Sequence, residues 1–336
     1  MNRLADTISS RTHEQSLKHE RGIAIVTVLL VVALAATLAA SVLWRQRVAT
    51  RDVENQRLAT ETMWVERAAV EWARATLRAQ SSTSNVAFIG QQWSAPVNDV
   101  QLSNLLPRDA IAVNGELANA WISGQVEDAQ AKFNLADLVS RPGPSQPWRI
   151  DANGLAAYSR LLAALSFDPA LAQPTADYIL RSLRDGTGTE NWPLQLVCAA
   201  DLRRIPGYDA AIVRALTPFV TVLPDITRIN VNTAPEPTLV AAIPGITAAQ
   251  AHAIVERRNT AYFVSTAEVP VLLAPPQQAV ATLAEGALID VNSGYFIVHC
   301  RIHSARINTR IDTLIARYGI GDFAWTSVVW VHRVTT

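Results

Sequence analysis

The sequence predicts an α+β fold: a long N-terminal helix, an antiparallel β-sheet, and a large helical domain inserted between the segments that form the sheet. Three observations support this. The chain has no charged residue from Ile23 to Trp44, and helix-forming residues continue beyond it without Pro or Gly until Gly90. Residues 151–284 show mainly helical patterns and contain an internal repeat. The last part of the chain has the two-residue period of β-strands.

Composition excludes several classes of protein. The 336 residues include 29 Lys plus Arg and 29 Asp plus Glu, so the chain lacks the basic excess typical of a free-standing nucleic-acid binder. Two cysteines, Cys198 and Cys300, are too few for a disulfide scaffold. We expect both to be buried free thiols, although an exported chain could pair them.

The apolar run at residues 23–44 predicts a membrane-spanning helix. Its 22 residues would extend roughly 33 Å, enough to cross a hydrocarbon core of about 30 Å. A cleaved secretory signal is the first alternative, but this run is longer than such signals usually are. Basic residues lie on both sides of the run, so they say little about its orientation: Lys18 and Arg21 before it, Arg45, Arg47 and Arg51 after it.

The residues just before the run are more specific. Charged Glu20 and Arg21 precede Gly22, and the apolar run begins at once with Ile23. A polar leader that ends in Gly at such a boundary resembles the type IV prepilin and pseudopilin signal. The resemblance implies that prepilin peptidase removes residues 1–22, cleaving between Gly22 and Ile23, and that Ile23 becomes the N-methylated first residue. Residues 23–44 would then be the transmembrane part of the helix.

One position departs from most pilins and pseudopilins. They have Glu at the fifth mature residue, whereas this chain has Thr27. A carboxylate in hydrocarbon is costly without a partner, so a subunit with no neighbour above it should lack that Glu. Among pseudopilins, the minor one called general secretion protein K lacks it, and the resemblance to this family implies a position at the fibre tip.

The helix continues on the far side of the membrane as an amphipathic segment. Apolar residues recur at helical spacing, among them Leu58, Val65, Ala69 and Trp72. We predict one helix from Ile23 to about Arg78, with residues 45–80 as its periplasmic part. Such a helix, apolar first and amphipathic second, is the pilin pattern.

The segment 81–135 is predicted to belong to a pilin-like α/β domain. The stretch "WISGQVEDAQAKFNL", which begins at Trp121, predicts two short strands around a turn near Asp128. Its core is similar to a phrase of the protein K family, where a strand pair ends as the chain enters a helical insertion.

Residues 136–285 are predicted to form the inserted helical domain, with a tandem helix-hairpin-helix-like repeat. Leu202–Leu216 (LRRIPGYDAAIVRAL) matches Val240–Ile254 (VAAIPGITAAQAHAI), and Gly207 and Gly245 would end one helix of each unit. The phrase "INVNTAP", which begins at Ile229, also occurs in the protein K family. Residues 286–336 are predicted to be the C-terminal strands of the pilin-like sheet.

The repeat raises DNA binding as the alternative function, because helix-hairpin-helix units hold phosphate at a helix N-terminus. The segment from Ile229 resembles the DNA-receptor domain of competence proteins. Both hairpins, however, lack the usual second Gly, and Asp209 would face a phosphate. A membrane-anchored DNA-uptake protein is therefore the alternative reading.

Other candidate sites are weak. His299, Cys300, His303 and His332 do not give the three or four convergent ligands that zinc needs, so no metal site is predicted. Gly319–Ala324 matches G-x-G-x-x-A, but too little chain follows for a nucleotide-binding unit, and we predict a turn. With no catalytic constellation in the sequence, we predict no enzyme.

Only the resemblance to the protein K family suggests a calcium site, because some members of that family bind calcium in an acidic loop. The matching stretch here has Arg181 and Arg184 where acids are expected, with Asp177, Asp185 and Glu190 remaining. The loop is a poor match for an oxygen cluster that suits Ca²⁺, so we predict no cofactor.

The sequence therefore predicts a minor pseudopilin of type II secretion, anchored once in the bacterial inner membrane with its bulk in the periplasm. It would help to assemble and cap the pseudopilus for protein secretion across the outer membrane. The resemblance implies as partners the I and J minor pseudopilins, an H type as a further candidate, the major pseudopilin and prepilin peptidase.

Overall fold

The computed structural model describes residues 4–105, 116–143, 145–183, 192–274 and 282–334. Its helices, in chain order, are α1 (Leu4–Thr83), α2 (Leu102–Leu105), α3 (Ala152–Ala164), α4 (Ala172–Ser182), α5 (Ala210–Leu216), α6 (Glu236–Ala242), α7 (Ala248–Thr260) and α8 (Glu268–Leu273). The first five strands are β1 (Val97–Gln101), β2 (Trp121–Asp128), β3 (Phe133–Asn134), β4 (Val139–Ser140) and β5 (Arg149–Ile150). The remaining strands are β6 (Val220–Thr221), β7 (Ile229–Asn230), β8 (Ile289–Asp290), β9 (Tyr295–His303), β10 (Asn308–Tyr318) and β11 (Trp325–Val334). The predicted α+β fold is confirmed.

The chain divides into two compact units, residues 1–63 and residues 64–336. The first consists of the N-terminal part of α1. From Ile25 to Val42 its large apolar side chains are all exposed, as expected of a surface that lipid would cover. The hydroxyls of Thr37 and Ser41 donate to the carbonyls of Leu34 and Leu38 at 2.8 and 2.7 Å, so these polar groups are satisfied within the helix.

The second unit contains the rest of α1 and a five-stranded antiparallel sheet in the order β1-β2-β9-β10-β11. Buried Val65, Val70, Ala73 and Leu77 form one helical face of α1. Arg74 donates to the carbonyl of Thr326 on β11 at 2.8 Å, and Arg333 on β11 pairs with Glu66. These contacts hold the helix against the sheet.

The two strands predicted around a turn near Asp128 are present as β2 and β3, but they do not pair with each other. β2 runs unbroken to Asp128 and pairs with β1 and β9, whereas β3 is parallel to β6, outside the large sheet. The reason is local. The Asp128 side chain accepts from the backbone N–H of Gln130 and caps a 3₁₀ turn, Ala129–Ala131, which carries the chain off the sheet instead of reversing it into a hairpin.

Between Asp128 and Tyr295 the described chain builds a mainly helical body around one apolar core, to which α3, α4, α5, α6 and α7 contribute buried side chains. Tyr158, Tyr208 and Thr175 join their hydroxyls inside this core at 2.9 and 2.8 Å. The first turn of α3 approaches the chain at Asp137 so closely that a Cβ on Gly154 would lie 1.9 Å from the Asp137 carbonyl oxygen. Only Gly fits there.

The predicted C-terminal strands differ from the structure in one detail. The alternating pattern from Leu288 to Ile302 predicts one strand, but the structure has two. β8 pairs in parallel with β7, and only β9 belongs to the large sheet. Residues 275–281, near the end of the stretch predicted to be mainly helical, lie outside the described residues.

Candidate functional site

The predicted processing site lies within α1. Gly22, Ile23 and Thr27 are all residues of this helix, and the cleavage and the role of Thr27 remain predictions. By length and composition, the segment Ile25–Ser82 is the one helix in the described part of the chain that could cross a membrane, with an apolar window of mean hydropathy 2.6. The feature agrees with a membrane anchor.

The two phrases singled out in the sequence meet at a buried carboxylate. Oδ2 of Asp128 accepts hydrogen bonds from Nδ2 of Asn230 at 2.9 Å, from Oγ1 of Thr233 at 2.6 Å and from Oγ of Ser293 at 2.6 Å. Asn230 also donates to the carbonyl of Ala87, just beyond α1. We call Asp128, Asn230, Thr233 and Ser293 the Asp128 cluster. It joins the end of β2, the "INVNTAP" segment and the chain that enters β9.

The pKa values of Asp128 and of nearby Arg317 are both shifted by burial. Burial raises the pKa of Asp128, against the opposing effect of the hydrogen bonds from Ser293, Thr233 and Asn230. Arg317 is buried nearby, donates to the carbonyl of Ser293 at 2.7 Å and lies over the ring of Phe296. Burial lowers the pKa of Arg317, and the charge of Asp128 opposes that shift. The arrangement is a structural junction, since the Asp128 carboxylate accepts from donors on two remote segments of the chain.

Asn134 makes a second link to the same body. Its Nδ2 donates to the carbonyl of Asp225 at 2.8 Å and its Oδ1 accepts from the N–H of Leu223 at 3.0 Å. Asp137 accepts from the N–H of Thr227 at 2.8 Å, and burial raises the pKa of Asp137 to about 8. No role was predicted for these residues, although Asn134 lies within the "GQVEDAQAKFNL" phrase and Asp137 two residues beyond it.

A cavity of about 550 Å³ lies beside this junction. Its charged lining residues are Asp137, Asp151, Asp225, Asp290, Arg228 and Arg317. Among the described residues, no three His, Cys, Asp or Glu side chains stand close enough together to hold a metal ion. The carboxylates are spread around the wall, and Asp225 already accepts a hydrogen bond from Tyr295.

The repeat forms two hairpins with the predicted glycines at their turns. Gly207 and Gly245 have φ angles of +99° and +80°, a region that favours glycine. The helix that follows each hairpin is capped by its own side chain: Asp209 accepts from the N–H of Ile212, and Thr247 accepts from the N–H of Gln250. Since these N-terminal amides are occupied, and one cap is anionic, the hairpins are poorly suited to phosphate.

Arg258, a basic residue of the second repeat unit's last helix, bonds to backbone carbonyls of the protein itself. Its Nη1 donates to the carbonyls of Val231 and Ala234 at 2.8 and 2.5 Å. Arg160 likewise donates to the carbonyl of Ala241. Arg258 therefore ties α7 to the "INVNTAP" segment, and Arg160 ties α3 to α6, roles that the sequence pattern did not indicate.

His299 joins carboxylates on both neighbouring strands. Its Nδ1 lies 2.6 Å from Oδ1 of Asp312 on β10, and its Nε2 lies 3.0 Å from Oε2 of Glu127 on β2. Burial works against the charged ring, but the hydrogen bonds that it donates to both carboxylates, with their negative charge, outweigh burial and raise the pKa of His299 to about 9. The ring is therefore a charged cross-strand link, and His299 is not arranged as a metal ligand with His303 and His332.

The two cysteines and the acidic stretch, the remaining candidates from the sequence, form no site among the described residues. Cys198 and Cys300 are both free thiols, but Cys198 is exposed, so the expectation that both are buried is wrong for it. Cys198 lies at the start of a 3₁₀ turn on the surface, outside the apolar core. Asp177 of the acidic stretch is exposed and accepts from Gln173, whereas Asp185 and Glu190 lie outside the described residues.

Comparisons with known proteins agree with this architecture. Two family models described as type II secretion system, protein K, match residues 131–225 and 229–292. The type II secretion system protein K of Pseudomonas aeruginosa is 29% identical over 274 residues, which are 73% of this chain and 74% of that protein. The protein K of Klebsiella pneumoniae is 27% identical over 325 residues, 89% and 93% of the two chains.

A solved structure shares the fold. It is a chain of the GspK-GspI-GspJ complex from the type 2 secretion system of enterotoxigenic Escherichia coli, with a TM-score of 0.60 and 19% identity. The match covers 84% of this chain and 99% of that one. The matched family segments begin just after Asp128 and end just before Ser293, so they coincide with the inserted body and its junction to the sheet. The family models and the relatives agree on one family, to which this chain is similar: type II secretion system protein K.

Proposed function

We propose that this protein is the minor pseudopilin at the tip of a type II secretion pseudopilus, where it helps to assemble the fibre and caps it. The observation that carries the proposal is the composition of α1. One helix contains a membrane-length apolar run, Thr27 where related subunits have an acid, and an amphipathic end that packs on the sheet. A subunit that only anchored a domain would not need a continuous helix of this kind.

The partners follow from the relative whose fold this chain shares, which was solved as the GspK-GspI-GspJ complex. We propose that this chain assembles with I-type and J-type minor pseudopilins and stands above the major pseudopilin. Its bulk would lie in the periplasm, with α1 in the inner membrane. The role is mechanical and needs no catalysis or cofactor, and the Asp128 cluster fits it by fastening the bulky helical body to the sheet.

The first test is the N-terminus of the protein extracted from its host membranes. We expect prepilin peptidase to cleave after Gly22, so that intact mass and terminal sequencing show a mature chain that begins with N-methylated Ile23. Gly22→Val should leave the leader in place, because the peptidase would no longer accept the residue before the cut. Ala39→Val, within the same helix, is the matched control and should be processed normally.

The same experiment can contradict the proposal. An unprocessed chain in cells that contain an active prepilin peptidase would remove this protein from the pseudopilins. A chain that begins near Ser41 would make it a soluble exported protein.

A further inference from the structure

The turn between β10 and β11 presents an exposed aromatic side chain. Phe323 is 85% exposed, the highest value among the large apolar side chains whose burial the structure describes, and Ile320 beside it is 55% exposed. The rings of Tyr318 and Trp325 stack at the base of the turn with their centroids 4.4 Å apart. Large exposed apolar side chains grouped on a folded turn mark a surface that contacts another molecule.

Backbone geometry holds this turn in one shape. Gly319 and Gly321 have φ angles of +71° and +64°, and a Cβ on Gly319 would lie 2.2 Å from the carbonyl oxygen of Phe323. The N–H of Ala324 donates to the carbonyl of Gly321 at 3.1 Å. Phe323 is therefore preorganised, which reduces the entropy lost when it binds.

A cleft of about 490 Å³ lies next to the turn, between it and the end of α1. On the α1 side its uncharged lining residues are small, and on the other side the wall comes from the turn and the start of β11. These residues are Ala75, Ala79 and Ser82 on α1, with Gly321, Asp322 and Thr326 opposite. Small side chains over about two helical turns let another helix approach closely, to about 8 Å between axes.

Two charges in the cleft lack partners. Arg78 on α1 and Asp322 on the turn form no ion pair or hydrogen bond with any other residue that the structure describes. Arg74, one turn earlier on α1, is fully engaged with Glu71 and Thr326. A cation on one wall and an anion on the other are complementary to a partner that carries both charge signs, as amphipathic helices commonly do.

We propose that this hairpin cleft, formed by α1 from Glu71 to Ser82 and the turn from Gly319 to Ala324, seats the periplasmic helix of a neighbouring pseudopilin, with Phe323 as its apolar anchor. The proposal rests on the proposed function, because a fibre neighbour anchored in the same membrane brings a helix alongside α1. That helix presents an acidic side chain to Arg78 and a basic one to Asp322. It packs an apolar residue against Phe323.

The test uses the full chain, co-expressed in membranes with its I-type and J-type pseudopilins and purified in detergent through a tag on one partner. We expect Phe323→Ala and Arg78→Glu each to lower the amount of this chain that co-purifies by about tenfold, as the loss of an anchor residue does. The controls are Val264→Ala and Arg203→Glu, which change exposed residues of the helical body. Both should leave the yield unchanged.

A cysteine experiment identifies the occupant. In a variant with Cys198→Ser, we expect Ala79→Cys to form a disulfide with a cysteine scanned along a partner's helix. Thermal midpoints of all variants should equal that of the parent, because the changed side chains are exposed.

The outcomes separate the two proposals. If the unmodified chain does not co-purify with either partner, the proposed function itself fails. If the unmodified chain does co-purify, but the Phe323 and Arg78 variants co-purify as well as the controls, the partner's helix does not bind in the hairpin cleft. A disulfide from Ala79→Cys to a second copy of this chain, with none to a partner, would show the wrong occupant and overturn the inference.

Discussion

At the scale of single residues, the informative positions are those whose chemistry is unusual for their surroundings. Asp128 is a carboxylate among buried donors, and Thr27 is a neutral residue where most pseudopilins have an acid. The role proposed for Thr27 could be predicted from the sequence, because it depends only on the distance of this residue from Gly22. The role of Asp128 was not, since Asn230 is 102 positions away in the chain.

The prediction at this scale concerns Thr27. We expect Thr27→Glu to reduce secretion of a type II substrate at least tenfold, because the tip subunit would carry a carboxylate in hydrocarbon without a neighbour's amino terminus to pair with it. Thr27→Val should secrete normally. The measurement is the amount of substrate in the culture medium relative to the cells, at equal membrane levels of the two variants. Equal secretion from Thr27→Glu would contradict the tip position.

At the scale of elements, the question is what fastens the helical body to the sheet. The body leaves the sheet after β2 and returns at β9, so its attachment depends on the contacts at those two points. The Asp128 cluster supplies them, and Asn134 and Arg317 add links to the same chain segments. Apolar packing alone would leave the body free to slide, whereas hydrogen bonds in a buried site require one register.

Removing the central carboxylate tests this. We expect Asp128→Ala to lower the free energy of unfolding by about 3 kcal/mol, because four donors, three of them on buried residues, lose an acceptor. Asp177→Ala, which removes an exposed carboxylate from α4, should change it by less than about 0.5 kcal/mol. Chemical denaturation of the detergent-solubilised chain gives both values. Equal stability of the two variants would mean that the cluster does not fasten the body.

At the scale of the whole molecule, the folded state binds protons more tightly than the unfolded chain at several buried groups. Burial raises the pKa of Asp137 from 3.8 to about 8, and carboxylate partners raise that of His299 from 6.5 to about 9. A raised folded pKa means that the folded state holds a proton which the unfolded chain has released. Stability from these groups therefore falls with rising pH, between about 4 and 8 for Asp137 and between about 6.5 and 9 for His299.

Two carboxylates, Glu127 and Asp312, have the opposite effect: they stabilise the folded state more as the pH rises from acid values. The pKa values of Glu127 and Asp312 are lowered: burial would raise them, but His299 together with Lys132 or Arg310 outweighs it. Their contribution is lost as pH falls below about 4.

We therefore expect the thermal midpoint to be higher at pH 6 than at pH 9, and His299→Gln to flatten the decline between pH 6.5 and 9. His332→Gln, at an exposed histidine of β11, should leave the profile unchanged. An unaltered decline in His299→Gln would contradict the raised pKa.

The elements of this protein were predictable because they depend on neighbouring residues. The length of the apolar run, the helical spacing after it, the repeated Ile-Pro-Gly turns and the alternation near the C-terminus are all local patterns, and they predicted the α+β fold. Contacts between distant segments were not predictable in this way. Four features depend on how remote parts of the chain pack together. They are the order of strands in the sheet, the meeting of two sequence phrases at Asp128, the pairing of His299 with Glu127 and Asp312, and the placement of Gly321 and Asp322 beside the end of α1. No spacing in the sequence encodes that packing, because it is decided by the burial of the whole core.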